Sequence, residues 1–439
     1  MVSDMDARTN KFLQDASVRS THRRALGERL LSRQLRRLVK RGRLVVHFPS
    51  GHCVTFGDGR SPTARVRVTS TTTLRRLVTN PFLALGEAYM DGTLVVGNED
   101  IYGLLALLQQ NLVAWPRSVV WSASSWMRHR LRGTKQKSTS PRARRNVAHH
   151  YDLSSDFYAL FLDEDWQYSC AYFQHAEDTL AQAQKKKKEI IAQKLLLEPG
   201  QRVLDIGCGW GGLGLHLARE HRVDVTGVTL SREQLRIAQN RAMDAGLGTS
   251  VHFKFEDYRD VKGTFDRIVS VGMFEHVGVP QYAQFFDALR DRLAEDGVAL
   301  LHTIGRADGP GATDPWIEKY IFPGGYSPAL SEISSAVECS GLIITDIEVW
   351  RLHYASTLKA WRERFEANLD QIRKIYDERF CRMWRYYLAA SELAFRNDGH
   401  VIYQIQLAKR QDAVPLTRDY LNSGDRSACE PKNASDRLA

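Results

Sequence analysis

Paired cysteines are missing from this chain. The six cysteines stand at 53, 170, 208, 339, 381 and 429, with no Cys-x-x-Cys among them. That scatter speaks against a disulfide framework and a zinc site, and it suits a reducing cytosol. Long apolar runs are missing too. No stretch approaches the roughly 20 apolar residues a spanning helix needs, so any membrane contact has to be peripheral. The first residues, Met1 to Lys11, have no apolar centre, and no signal peptide is expected. Acid is in short supply: 51 Asp and Glu against 61 Lys and Arg give a formal charge of +10. With a pI near 9.3, the chain favours an anionic partner, either nucleic acid or an anionic membrane surface. No RNA-reading motif accompanies the charge, and a base-methylating Asn/Asp-Pro-Pro-Tyr motif is absent, so no nucleic-acid partner is expected.

What is present is a globular chain of 439 residues, enough for two or three domains with buried cores. Residues 1–20 are polar and read as a flexible N-terminus. Residues 19–43 carry ten Lys and Arg and one acid, Glu28, with Leu26, Leu30, Leu31, Leu35, Leu38 and Val39 at helical spacing. Such a helix is either a surface-binding element or a solvated helix whose leucines pack on the next domain. Residues 43–80 alternate apolar and polar between turn signals and predict three or four short strands. Helical patterns follow at 81–89 and 101–113. Together these predict a small α+β domain over 21–127, read as lipid-docking. Trp115, Trp121 and Trp126 suit either a headgroup interface or buried anchoring. A basic linker follows over 128–145.

From residue 202 strands and helices alternate. Strands are predicted at 202–206, 223–228, 251–256, 265–271, 297–304, 342–349 and 400–409. Helices are predicted at 210–219, 231–245 and 281–293, with a long pair near 355–396. This order predicts a mostly parallel sheet covered on both faces. The catalytic domain is expected over 146–411 and a disordered tail over 412–439.

The first predicted strand runs into Gly207-Cys208-Gly209-Trp210-Gly211-Gly212. Four glycines at one turn let backbone press against a ligand and leave the amides of the next helix pointing at it. The spacing is Asp-x-Gly-x-Gly-x-Gly, from Asp205, and is similar to the first motif of AdoMet-dependent methyltransferases. In a doubly wound sheet the ligand sits at the carboxyl ends of the strands. Candidate cofactor residues are therefore Asp205, Gly207, Gly209 and Gly211, then Thr229, Ser231 and Gln234 after the second strand, and Asp257 after the third. Ser231 also suits an N-cap. Asp257 is a candidate for the adenine amine or a plain loop residue. No metal site is expected.

Further motifs carry a more specific resemblance. Tyr151-Asp152-Leu153-Ser154-Ser155-Asp156-Phe157-Tyr158, Gln167-Tyr168-Ser169-Cys170-Ala171-Tyr172-Phe173, the glycine turn, Val269 to Gly278, Leu301-His302-Thr303-Ile304-Gly305, and Asp314 to Pro323 resemble the cyclopropane-fatty-acyl-phospholipid synthases. The likeness is strong over about 146–410 and extends more loosely to Gly86–Gly92. It implies a class I AdoMet-dependent methyltransferase fold, Rossmann-like, with a seven-stranded sheet whose last two strands pair antiparallel at the edge.

The resemblance also implies the reaction. S-adenosyl-L-methionine donates a methyl group to the cis double bond of a phospholipid acyl chain. A bound bicarbonate then deprotonates the resulting carbocation so that a cyclopropane ring closes. A dry site is needed, because water would quench the cation. Aromatic faces can stabilise it, and Tyr168, Tyr172, Phe173, Trp210, Phe274 and Tyr354 are candidates. Positions matching the bicarbonate ligands are Cys170, Glu275, His302, the Ile304 backbone and Tyr354. Tyr168 and Ser169 match residues that close over the cofactor. A second cysteine common in the family is replaced here by Ser391, which excludes a thiol role at that position. The alternatives are a related fatty-acyl methyltransferase giving a methyl-branched or methylene product, and a small-amine methyltransferase. The expected partner is an anionic phospholipid bilayer, met peripherally at the inner face of the membrane by a cytoplasmic protein. A homodimer would double such contacts.

Overall fold

Val203, Leu204, Asp205 and Ile206 are all buried, as a central parallel strand with helices on both faces requires. In the computed structural model, residues 25–112 and 153–421 are described. The expectations for residues 1–20, Trp115, Trp121, Trp126, 128–145, Tyr151, Asp152 and 422–439 lie outside the described residues.

The N-terminal part starts with helix α1 (Leu26–Leu38), followed by β1 (Arg43–His47), β2 (Cys53–Gly57) and β3 (Thr63–Val68). Helices α2 (Thr71–Thr79) and α3 (Pro81–Met90), strand β4 (Leu94–Val96) and helix α4 (Ile101–Leu112) complete it. The four strands form one sheet in the order β2-β1-β3-β4. Residues 71–79 correct the strand expectation for that stretch. Ser70 caps the segment by accepting from Thr72 and Thr73 amides, and Leu74 and Leu77 one turn apart are buried, so capping and helical burial override the β preference of the threonines. On α1, Leu31 is buried while Leu26 and Leu30 stay 73% and 42% exposed. The helix therefore packs by one edge and leaves two leucines facing out beside Arg29, Arg33, Arg36 and Arg37.

The larger part contains α5 (Ser155–Ala159), α6 (Leu180–Lys194), β5 (Arg202–Ile206), α7 (Gly212–His221), β6 (Asp224–Thr229), α8 (Arg232–Asp244), β7 (Val251–Phe255), β8 (Phe265–Val271), α9 (Tyr282–Arg292) and β9 (Leu293–Arg306). Then come α10 (Pro315–Tyr320), α11 (Leu330–Ser340), β10 (Ile343–Trp350), α12 (His353–Ala367), α13 (Leu369–Ile375), α14 (Glu378–Asn397) and β11 (His400–Ala408). Seven strands form the sheet β10-β11-β9-β8-β5-β6-β7. Strands β7, β6, β5, β8 and β9 pair in parallel, whereas β11 is antiparallel to both β9 and β10. This is the class I AdoMet-dependent methyltransferase fold. The seven predicted strands are all present. Helices α5, α6, α10 and α11 were not anticipated, and α6 is started by a reciprocal capping box between Thr179 and Gln182.

One apolar core runs through both parts. Glu87 on α3 is buried and binds across the junction, its Oε1 accepting from Lys319 Nζ at 2.6 Å and Tyr320 OH at 2.7 Å. Gly86 is required beside it: a Cβ there would lie 2.4 Å from Trp316 Nε1. Arg385 on α14 reaches back to Glu99 at 2.6 Å. At the other end, Arg418–Leu421 form a short 3-10 turn, and Arg418 pairs with Asp346.

Candidate active site

The strand order reverses beside β5, and a cleft opens there at the carboxyl ends of β5, β6, β7 and β8. It encloses about 1200 Å³, part of it open to solvent. Of the ten cofactor candidates, Tyr168, Ser169, Asp205, Gly207, Gly209, Thr229, Gln234 and Asp257 line it. Gly211 and Ser231 do not. Gly211 has φ +81°, and a Cβ there would sit 2.6 Å from Phe253 Cζ, so this glycine serves the approach of α7 to the sheet. Ser231 Oγ accepts from the Gln234 amide at 3.2 Å, which is the N-cap of α8. Gly209 also has positive φ, +55°, but a Cβ there would meet nothing within 4 Å. Its missing side chain keeps open space in the cleft rather than room for packing.

The polar lining is arranged in advance. Thr229 Oγ1 donates to Gln234 Oε1 at 2.9 Å. Asp257 is gripped by Arg259 through Nε at 2.8 Å and Nη2 at 2.6 Å, so its carboxylate reaches a ligand already paired. Asp205 is 1% exposed, and burial pushes its carboxyl up to about 7 against the opposing pull of Lys187. Its Oδ2 has no hydrogen-bond partner among the described residues. Trp166 lines the cleft with φ +56° and meets Trp210 edge-on at 5.9 Å. A non-glycine residue in that region is strained and is typical of functional sites. Cys208, Trp210, Met273, His276 and Gln281 also line the cleft. Nothing in the sequence set His276 apart from Glu275 beside it.

None of the four candidate catalytic residues lines the cleft itself: His302 is on β9, Tyr354 on α12, Glu275 on the turn after β8, and Cys170 follows the cleft residue Ser169. Val271 at the end of β8 pairs with His302 of β9, and Glu275 follows on the next turn. Glu275 Oε1 accepts the Ile304 amide proton at 2.6 Å, so that N–H, implied by the resemblance as a ligand, is already engaged. Burial pushes Glu275 up to about 7, opposed by the Ile304 and Glu275 amides and the Thr303 hydroxyl. Glu275 Oε2 and His302 Nε2 are buried without a hydrogen-bond partner among the described residues. Burial holds His302 well below its ordinary pKa, and Lys187 and Lys194 add to that.

Cys170 is fully buried. Its Sγ donates to the Ala171 carbonyl at 3.3 Å, and burial raises the thiol pKa, so it is a neutral hydrogen-bonding group. Tyr354 meets Trp361 at 5.8 Å, and Trp361 stacks on Tyr168 at 5.0 Å. Tyr168 and Tyr387 hydroxyls are 2.9 Å apart. Tyr172 stacks on His353 at 4.4 Å. Phe274, a candidate for cation stabilisation, is instead fully buried against Tyr282 and Phe285, inside the core that carries α9.

Lys187 was missed by sequence reasoning. It sits in a run of four lysines, 185–188, that reads as a solvated face. Helical phase turns it inward, where its Nζ donates to Gln167 Oε1 at 2.6 Å and Ser169 Oγ at 2.8 Å. Both partners line the cleft. Burial lowers Lys187 to about 7.

The mycolic acid cyclopropane synthetase family pattern matches residues 138–405, and a domain family of unknown function matches residues 31–111. The cyclopropane-fatty-acyl-phospholipid synthase of Escherichia coli strain K12 is 39% identical over 80% of this chain and 89% of its own length. The tuberculostearic acid methyltransferase of Mycobacterium tuberculosis is 35% identical over 87% of this chain and 91% of its own. Among solved structures, the mycolic acid cyclopropane synthase CmaA1 complexed with SAH and CTAB matches with a TM-score of 0.57 at 33% identity. That match covers 60% of this chain and 97% of the other.

Proposed function

This chain belongs to the mycolic acid cyclopropane synthetase family and is an AdoMet-dependent methyltransferase, and on that premise we propose that it methylates the cis double bond of phospholipid acyl chains and closes a cyclopropane ring. The observation that carries this reading is the pair of buried atoms Glu275 Oε2 and His302 Nε2, without a hydrogen-bond partner among the described residues, at adjoining strand ends. The cofactor cleft suits AdoMet: open space at Gly209, neutral hydrogen-bonding side chains and aromatic walls. Bound there, AdoMet supplies an electrophilic methyl group.

An alkene needs no strong base before it attacks. The site's work comes afterwards, when a proton must leave the added methyl group. The two unpartnered atoms fit a bicarbonate ion in kind, one as acceptor for its hydroxyl and one as donor to its oxygens. Bicarbonate held by them supplies the base for that proton. Glu275 would orient it and His302 would donate to it, while the Ile304 amide fixes Glu275. Tyr168, Trp361 and Tyr354 exclude water and turn aromatic surface toward the developing positive charge.

No described helix is long and apolar enough to cross a membrane. In this reading, access to lipid is by docking at the surface, with the exposed leucines and arginines of α1 against an anionic bilayer. This fits a peripheral protein on the cytoplasmic face.

The reading is tested with vesicles of an unsaturated anionic phospholipid and labelled AdoMet, in buffer stripped of carbon dioxide. Label is expected in the acyl chains only after bicarbonate is restored. Full activity without bicarbonate would remove the ion from the account, and label in a headgroup or a free amine would overturn the substrate.

A further inference from the structure

One buried residue outside the candidate quartet bonds His302, and a second buried residue bonds that one. Gln404 on β11 is 1% exposed, and its Nε2 lies 3.1 Å from His302 Nδ1. Its Oε1 accepts from Lys194 Nζ at 2.8 Å. Lys194 in turn pairs with Glu348. We infer that Lys194, acting through Gln404, locks His302 as the neutral tautomer with its proton on Nε2, making that ring a dedicated donor into the active site. The inference deepens the bicarbonate reading and rests on it for the donor's purpose, though not for the tautomer itself.

The argument is one of donor and acceptor counting. An ammonium has three donors and no acceptor, so the Gln404 atom facing Lys194 is the oxygen. Turning the amide over would set NH2 against NH3+, donor against donor, and leave Lys194 with Glu348 but no acceptor on Gln404. The amide nitrogen consequently faces His302 Nδ1. An amide nitrogen only donates, so Nδ1 accepts and carries no proton. A neutral imidazole then holds its proton on Nε2, the atom left without a partner among the described residues. Protonating Nδ1 would bring two donors together, so the imidazolium is disfavoured by geometry as well as by burial.

The surroundings agree. The charged groups acting on His302 are Lys194 and Lys187, and both oppose a positive ring. Glu275, on the neighbouring turn, has its Oε1 committed to the Ile304 amide. Trp350 meets the ring edge-on at 5.2 Å and fixes its plane. Burial lowers Lys194, while the Glu348 carboxylate paired with it opposes that shift. Gln406, two residues along β11, donates to the Lys194 carbonyl at 2.7 Å and anchors the end of α6. Gln404 and Lys194 are thus positioning residues, acting on the reaction only through His302.

Nitrogen-15 spectra of histidine-labelled full-length protein test this, with His302 assigned by the loss of its signal in His302→Asn. The expected wild-type spectrum has an unprotonated Nδ1 and a protonated Nε2, unchanged between about pH 6 and pH 9. Gln404→Glu replaces the donor by an acceptor, so Nδ1 gains a proton and a titration enters that range. Methyl transfer in that variant should fall by about tenfold or more in kcat, with KM for AdoMet unchanged. A protonated Nδ1 in the wild type overturns the inference outright, whether or not any variant folds. An unchanged tautomer in Gln404→Glu overturns it as well. A correct tautomer in a protein that never labels an acyl chain would instead sink the proposed function and leave the relay standing.

Discussion

The Ile304 amide and one oxygen of Glu275 stand 2.6 Å apart across the ends of β9 and the turn after β8. That bond fixes the carboxylate, and its other oxygen has no partner among the described residues. Burial raises Glu275 from 4.5 to about 7. A carboxyl raised by folding is tolerated when protonated, and it weakens the fold as pH rises from its unfolded value through its folded one. Glu275→Gln removes this cost. The variant is expected to lose activity yet match or exceed wild-type stability at pH 8, by up to about 3 kcal/mol. The gain should vanish below about pH 4. Thermal melts at both pH values read it directly, and a variant less stable at pH 8 would contradict this account of Glu275.

Gly209 and Gly211 share a turn and a positive φ, but a Cβ would enter open space at the first and strike Phe253 at the second. Gly211→Ala is expected to lower the melting temperature more than Gly209→Ala, since only the former adds a clash to backbone strain of about 1–2 kcal/mol. Gly209→Ala should cost more in affinity for S-adenosylhomocysteine. Paired melting and calorimetry on the two variants reveal the order, and its reversal would refute the division.

Lys187 braces the cleft wall through Gln167 and Ser169. Lys187→Met should weaken S-adenosylhomocysteine binding by about tenfold, a change of ~1.4 kcal/mol. Its lowered pKa adds a second signature. The folded state favours the uncharged amine, so this group's contribution to stability grows as pH rises from about 7 toward 10.5. Stability of the methionine variant should lack that rise. Unaltered affinity would show that the segment stands without its brace.

Arg36, Arg37 and Lys40 are exposed on and just beyond α1. Reversing all three charges should abolish most binding to anionic vesicles and leave S-adenosylhomocysteine binding intact. Wild-type vesicle binding should weaken as salt rises, because exposed charges are screened over about 10 Å at 0.1 M. Sedimentation with vesicles measures both, and indifference to the reversal would remove α1 from the docking surface.

The sheet was legible because strand length and burial follow from local composition. Val203 to Ile206 and Phe265 to Val271 are short, Val- and Ile-rich segments bounded by turn residues, and they fold as strands. The glycine turn was legible as a turn at the mouth of the sheet, where the cleft lies, but not the division of labour within it, since Gly209 and Gly211 differ only in what lies opposite. Thr71–Thr79 misled because threonine favours strands, whereas Ser70 at the helix start decided the matter. Lys187, Lys194 and Gln404 carried no signal. Each looks like an ordinary surface residue until the sheet brings β11 against β9 and α6 turns Lys187 and Lys194 inward. Long-range pairing, which single-sequence patterns do not contain, makes them part of the site.

The most direct measurement is the product itself. Gas chromatography–mass spectrometry of acyl chains is run after incubating the protein with unsaturated phospholipid vesicles, bicarbonate and methyl-labelled AdoMet. The account predicts one labelled CH2 added per reacting chain, with the double bond replaced by a cyclopropane ring. A methyl branch or a methylene group at that position would contradict ring closure, and acyl chains left unlabelled would contradict the assignment of the lipid as substrate.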